Sequence, residues 1–399
     1  MTIELEMSSS ESPSDLETTA EDLQIFSDSV VRSSSPASPL SPNTPFPMDS
    51  VETFTQPNII TTTQLDMQGI PWGRANISRE QFRANRVATY LQYEEERGYK
   101  TAMQVPLLDD SASFYKFRSM NRFEACTVQH FQLKHLVHCP TPMSLFYPLY
   151  NRIKRLQPLR SDAPSHTTMN LTECFGAGFS RISTMVATEE LCLVGGMFGE
   201  LVVWMWAGGR PSIYMLATDP SNAVINHISP LNHAKSTFCV ACNDGHARIF
   251  DLQTQQSTVM HETPWPINAT AAHPSIDGLL AITGDSTNTL LFDAKGGKEI
   301  ANLPGHTDCS FSCAWRPDGL HLATANQDRT IIVRDLRMYE KPLFQGRTFM
   351  SVPRSLRYHP EGQLLAIATA DDYVHILDTS DYRKGQVIDF FGDIAGLDF

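Results

Sequence analysis

One spacing governs what this chain can fold into. Short apolar runs ending in Asp recur as ARIFD (247–251), TLLFD (289–293), IIVRD (331–335) and VHILD (374–378). Their terminal aspartates stand at 251, 293, 335 and 378, so the steps are 42, 42 and 43 residues. A related run, LVVWM (201–205), ends 46 residues before Asp251. The units are β-rich and broken by turns, and a period near 42 then predicts four-stranded sheets rather than stacked helices. Seven residues before three of the terminal aspartates lies another: Asp244, Asp328 and Asp371. Each falls in a tight turn, where Asp can bond its own backbone. His273-Pro274, the run Trp315 to Gly319 and the run Tyr358 to Gly362 mark a hairpin between the first and second strands of each unit.

The best-formed unit is GHTDCSFSCAWRPDGLHLATANQDRTIIVRD (305–335), which is similar to a WD repeat in both residues and spacing. The resemblance implies an all-β fold, a WD-repeat β-propeller. It also implies that His306, Thr324 and Asp328 belong to the blade's buried hydrogen-bond network. Arg334 stands where that repeat carries Trp. Counting units gives seven blades: a degenerate one over 112–160, then 176–207, 222–252, 265–294, 306–336 and 351–379, with the last begun by FGDIAGLDF (391–399). The last blade then has one strand of four, and an open sheet edge exposes unpaired backbone. Truncation is the favoured expectation; FYKFRSM (114–120) is the alternative source of a strand. The segment 64–100, with Asp66 to Trp72, and the run Val374 to Thr379 resemble a family of plant and fungal WD-repeat proteins carrying an Asp-x-Gln-Gly-Ile-Pro-Trp segment before the propeller.

Three stretches divide the chain. Residues 1–63 carry ten acids and one base, Arg32, hence −9 of the net −13. The first fifty positions hold 13 Ser and 6 Pro, too little apolar surface to offset chain entropy, so a disordered tail is expected. Ser35, Ser38, Ser41 and Thr44 each precede Pro and are candidate phosphorylation sites for proline-directed kinases. Residues 64–110 form an anchoring segment. Ser78 and Gln81 have capping-box spacing, predicting a helix over about 78–97, with Pro71-Trp72 as its anchor. Residues 111–399 are the propeller.

Function is narrowed by exclusion. There is no clustered Lys/Arg, so nucleic-acid binding is not expected. The start has no signal peptide and the most apolar stretch falls short of a membrane span, so no membrane contact is expected and the location is cytoplasmic and/or nuclear. Cys239 and Cys242 form the one Cys-x-x-Cys, without the second pair a structural zinc site needs; neither a metal nor any other cofactor is expected. No Walker loop, nucleophile elbow or zincin motif occurs, and the first-strand positions read as facing the channel hold neither acid nor His, so catalysis is not expected. Aligning first strands on Ser312 and Ser355 places Ser180, Arg181, Ile225, Asn226, Ile267, Asn268, Phe311 and Arg354 at the channel rim. A rim with aromatic and Arg side chains suits a peptide with an apolar anchor and an acidic group. Leu322 to Arg337 resembles the box by which some WD-repeat proteins dock on the cullin-4 ubiquitin-ligase adaptor, with Asp335 and Arg337 as its ending. The reading is a protein-interaction scaffold binding proteins or peptides, in its sharper form a ubiquitin-ligase substrate receptor. The alternatives are a propeller hydrolase and an assembly scaffold unrelated to ubiquitin.

Overall fold

The structure, a computed structural model, describes residues 2–7, 22–28, 54–55, 68–72, 76–97, 105–121, 125–128, 130, 132, 134–158, 165–217, 220–231 and 236–399. They form six antiparallel sheets whose first strands lie side by side around an axial channel. Blade 1 holds His138–Thr141, Ser144–Leu149, Arg152–Leu156 and His166–Asn170. Blades 2 to 5 cover 182–215, 225–262, 267–303 and 310–347, with four strands each in sequence order. Blade 6 begins with Pro353–Tyr358, Leu364–Thr369 and Asp371–Asp378. Second strands such as Leu279–Gly284 and Leu364–Thr369 are buried at every position. Packed between neighbouring blades on both faces, they read as continuous apolar runs rather than as alternation. Phe238, Phe250 and Phe292 are the large fully buried residues of the blade-to-blade cores.

The seven-bladed expectation is corrected to six. Residues Gly385–Asp398 form one unbroken strand of 14 residues. Its first half pairs with Asp371–Asp378 (Val374 opposite Ile388), and its second half pairs with Asp22–Asp28 (Ile25 opposite Leu397). The sheet continues through Thr2–Met7, Tyr115–Asn121 and Phe54–Thr55 to eight strands. No chain reversal separates the two halves, so FGDIAGLDF extends blade 6 instead of opening a further sheet. Residues 393–398 are thereby paired rather than left as the open edge that truncation was expected to leave. Because Tyr115–Asn121 serves this sheet, blade 1 occupies 138–170, not 112–160. The strands Thr2–Met7, Asp22–Asp28 and Phe54–Thr55 fall within the stretch expected to be a disordered tail. Ser35, Ser38, Ser41 and Thr44 lie outside the described residues.

A helix, Arg79–Arg97, straps the end of blade 6. Ser78 and Gln81 exchange hydrogen bonds at its start: the Gln81 N–H donates to Ser78 Oγ and the Ser78 N–H to Gln81 Oε1, both 3.1 Å. Phe82, Trp72 and Phe391 make a three-ring contact with centroids 5.0–5.5 Å apart. The Gln68 amide brackets the backbone of Phe391, donating to its carbonyl at 2.8 Å and accepting from its N–H at 2.6 Å. Arg83 reaches Asp372, whose side chain is fully buried, at 2.6 Å, and also bonds Asp389. Arg86 bridges Asp371 at 2.9 Å and Asp372 at 2.6 Å. Burial, then the adjacent Asp372 charge, push the Asp371 carboxyl above its ordinary range despite Arg86.

Candidate functional site

The first strands of blades 2 to 6 carry a pairing irregularity at the same place. The ladder skips one residue at Ser183, Asn226, Asn268, Phe311 and Arg354. A bulge re-aims its side chain out of the pleat, and here it aims at the next blade. Ser183 Oγ donates to the Ile225 carbonyl (2.6 Å), Asn226 Nδ2 to that of Ile267 (2.9 Å) and Asn268 Nδ2 to that of Ser310 (3.1 Å). Between blades 5 and 6 the contact changes chemistry: the Arg354 guanidinium lies 3.7 Å over the Phe311 ring and donates to Gln327 Oε1 at 2.8 Å. Ile225 and Ile267 are fully buried one position earlier, inside blade cores. The sequence alignment thus combined two registers, and a one-residue step in a strand turns a side chain to the other face. Blade 2's equivalent position is Ser183, leaving Ser180 and Arg181 on the loop before the strand.

That loop belongs to an exposed patch. Asn151 Nδ2 donates to the Ser180 carbonyl at 3.0 Å, bringing the Tyr150 turn against it. The Met197 N–H donates to Ser180 Oγ at 3.0 Å, bringing the Phe198 turn to its other side. Glu200, 3% exposed, holds the Ser180 and Phe198 N–H groups on its two oxygens, both at 2.8 Å. Tyr150 (69% exposed), Arg181 (exposed) and Phe198 (53%) therefore crown blades 1 and 2 on a buried polar support. Tyr150 has φ +53°, an uncommon conformation for a bulky residue that holds the ring outward.

Blade 5 carries the polar network named by the repeat. His306 bonds Thr330 Oγ1 at 2.9 Å and Thr324 Oγ1 at 2.8 Å. Asp328 accepts from the N–H groups of Thr307 and Thr330, both at 2.8 Å. Burial alone would raise the Asp328 carboxyl, but His306 and these donors outweigh it and hold it at about 2. Arg334, in the Trp place, spends its guanidinium on the carbonyls of Tyr339 (2.8 Å) and Pro304. At the opposite end of this blade Arg337, 66% exposed in its side chain, folds back on Asp335, with Nε to Oδ1 at 2.9 Å. The pairing holds Asp335 down to about 2, and Met338 beside it is 75% exposed.

The axial channel holds what sequence reasoning missed. A cavity of about 260 Å³ is lined by the later residues of the first strands and by His135 and His138. His227 completes three imidazoles there, contrary to the expectation of a channel without His; its ring stands 4.5 Å from that of His135. Burial pushes His135 down to about 4 and His138 to about 3, with Arg357 adding to both. His227 titrates well below its ordinary value for the same first reason, helped by His135. The signal could not be read because segment 134–141 lacks the repeat's Asp and Gly-His marks. Cys239 and Cys242 sit fully buried in Thr237–Cys242, their thiols pushed up to about 11 and about 12 by burial. Among the described residues no group of three or more His, Cys, Asp or Glu is arranged to hold a metal ion. No helix of the described residues is long and apolar enough to cross a membrane.

Known proteins resemble parts of this chain. Residues 297–335 match the model for the WD domain, G-beta repeat. Over 170 residues the chain is 26% identical to eukaryotic translation initiation factor 3 subunit I of Drosophila willistoni, covering 39% of this chain and 52% of that protein. Over 96 residues it is 34% identical to coronin-7 of Rattus norvegicus, covering 24% of this chain and 10% of the other. The chain thus spans about half the length of the first relative and a tenth of the second. A chain of the mitotic checkpoint complex crystal structure superposes with TM-score 0.45 at 20% identity, covering 50% of this chain and 60% of the other.

Proposed function

We propose that this WD40-repeat chain is a non-catalytic protein-interaction scaffold that receives an extended, partly acidic peptide on the end bearing Tyr150, Arg181 and Phe198. The observation carrying it is the patch itself: two exposed aromatics flank an exposed arginine, on turns held by part-buried hydrogen bonds to Ser180 and to the buried Glu200. Aromatic and Arg side chains dominate interface energetics, and a pre-organised support lowers the ordering cost of binding. The rest of the expected rim, from Ile225 to Arg354, supports the patch by stapling the blades behind it. Membership of the plant and fungal family with the Asp-x-Gln-Gly-Ile-Pro-Trp segment is part of this reading, since Gln68 and Trp72 of that segment seat the strap. In this reading the location is cytoplasmic and/or nuclear and nucleic acid is not a partner, which the lack of clustered Lys/Arg in the sequence supports. The experiment is quantitative affinity purification of the full chain against a Tyr150→Ala, Arg181→Glu, Phe198→Ala variant. Partners held by this face should drop by tenfold or more; an unchanged set overturns the reading.

In its sharper form the scaffold is a ubiquitin-ligase substrate receptor, docking through Asp335, Arg337 and the exposed Met338. Recovery of ligase subunits that is lost in Arg337→Ala supports it; recovery of none removes it. The other version is subunit duty in an unrelated assembly, supported by the resemblance to an initiation factor subunit. A hydrolase is disfavoured by the cavity's nucleophiles. The Ser229 hydroxyl is bonded to Thr270, and burial raises the Cys313 thiol to about 12.

A further inference from the structure

We propose that the axial cavity is a binding site for a carboxylate, carried either by a small organic acid or by an acidic peptide. This site lies inside the channel and stands independently of the patch on blades 1 and 2.

The cavity wall is rich in hydrogen-bond donors. His138 Nδ1 faces Arg357 Nη2 at 3.5 Å and accepts from it, which places the imidazole proton on Nε2. That Nε2 is itself buried, in a residue only 6% exposed whose ring also meets the Met185 backbone, so His138 lines the cavity as a wall and the donors are left to its neighbours. His227 Nδ1 accepts from the Thr270 N–H at 3.3 Å, so its proton also sits on Nε2. Ser312 Oγ accepts from the Leu356 N–H at 3.1 Å, leaving its own hydrogen to give. Arg357 uses Nη2 on His138, and its Nε lies 3.3 Å from Asp398 Oδ1; among the described residues Nη1 meets no acceptor. Among the described residues no Asp or Glu lines the cavity. Asp398 meets Arg357 from outside the lining, and its second oxygen is taken by the Cys139 N–H at 2.8 Å.

A cavity with this many donors and no carboxylate is complementary to an acceptor. One guanidinium nitrogen, Arg357 Nη1, beside the neutral donors of His227 and Ser312 favours a planar two-oxygen anion of single charge. The imidazoles reinforce this choice, since burial keeps them neutral near pH 7 and a dianion such as phosphate would find one cation only. The volume admits a short organic acid or the end of an Asp or Glu side chain. Pro230, Pro274 and Pro317, at the ends of three first strands, line the open mouth through which either would enter.

The test follows the histidine side-chain NMR signals of the full chain during titration with glutarate, glutaramide, inorganic phosphate and an N-acetylated Glu-containing hexapeptide. Saturable shifts of the His138 and His227 signals with glutarate or the peptide, at least fivefold weaker with glutaramide, are expected. Whichever of those two binds tighter identifies the source. Arg357→Gln should weaken binding fivefold or more. Because that change also loosens the Asp398 contact, His227→Leu is the second variant and should weaken binding without touching it. Absence of a saturable shift from any carboxylate in the unaltered chain, an equal response to glutaramide, or binding of phosphate alone would overturn the proposal.

Discussion

Asp328 is 7% exposed yet keeps its charge, because His306, Thr307 and Thr330 all point donors at it. Asp328→Asn trades charged hydrogen bonds for neutral ones and turns a donor toward the Thr330 N–H. We expect it to cost about 1.5–3 kcal/mol, read as a lowered urea midpoint with unchanged slope. The channel imidazoles set a pH dependence. His135 and His138 are held down at about 4 and about 3, whereas in an unfolded chain His titrates near 6.5. Below pH 6.5 the unfolded chain takes up protons that the folded chain refuses. The stability they confer is therefore full above that pH and is lost as the pH falls toward 4 and 3. Asp328, lowered from 3.8 to about 2, adds a second loss between those values. Urea midpoints measured from pH 7.5 to 4 should fall steadily, and His138→Phe should flatten the slope; a flat profile in the unaltered chain would contradict the buried, neutral imidazoles. Residues tied to the repeat were legible from sequence, as His306 and Asp328 were, because their spacing repeats. His135, His138 and Asp372 were not, since each gains its meaning from a segment far away in the chain.

At the scale of elements, the strap helix shows what local signals reveal and what they hide. Ser78, Gln81 and Trp72 announced a capped, anchored helix, and the capping box and ring contacts are local enough for that. Its destination was hidden: Arg79, Arg83 and Arg86 answer Asp389, Asp372 and Asp371, some 300 residues later. Arg83 also stacks on Phe391 and Tyr373, at 4.1 and 4.7 Å. Removing one partner of a buried pair leaves an uncompensated charge. Arg83→Ala should therefore cost about 3–5 kcal/mol in docking the strap, moderated by Arg86, which also holds Asp372. Amide hydrogen exchange checks it: helix protection should collapse while blades 3 to 5 keep theirs. Uniform loss across all blades would mean that the strap is not a separate unit. The strand register taught the opposite lesson, for periodicity located the third strands of blades 2 to 5 within a residue and the end of blade 6's, while blade 1's, without the Asp mark, went unplaced. Bulges, which no composition signal marks, put Ile225 and Ile267 one position off and Ser180 three, while Phe311 and Arg354 fall at the bulge itself.

The whole molecule differs from its sequence reading chiefly in how the ring is joined. Unit counting treats every apolar run as the start or end of a blade, and it has no means of seeing one strand serve two stretches of a sheet. Gly385–Asp398 does so, with Ala395 accepting from the Leu136 N–H at 3.3 Å beside blade 1. Removal of residues 1–28 would bare the backbone of 393–398, and exposed strand edges recruit other strands. The shortened chain should unfold at a lower temperature and self-associate with concentration, as followed by light scattering. A monomer of unaltered stability would show that these strands are dispensable. The same arrangement sets a timetable for biosynthesis. Gln24 faces Asp398, 398 − 24 = 374 positions later. At about 5–20 residues per second the opening strands wait roughly 20–75 s on the ribosome for their mate, an interval in which a chaperone has to shield them and the finished circle cannot yet be clasped.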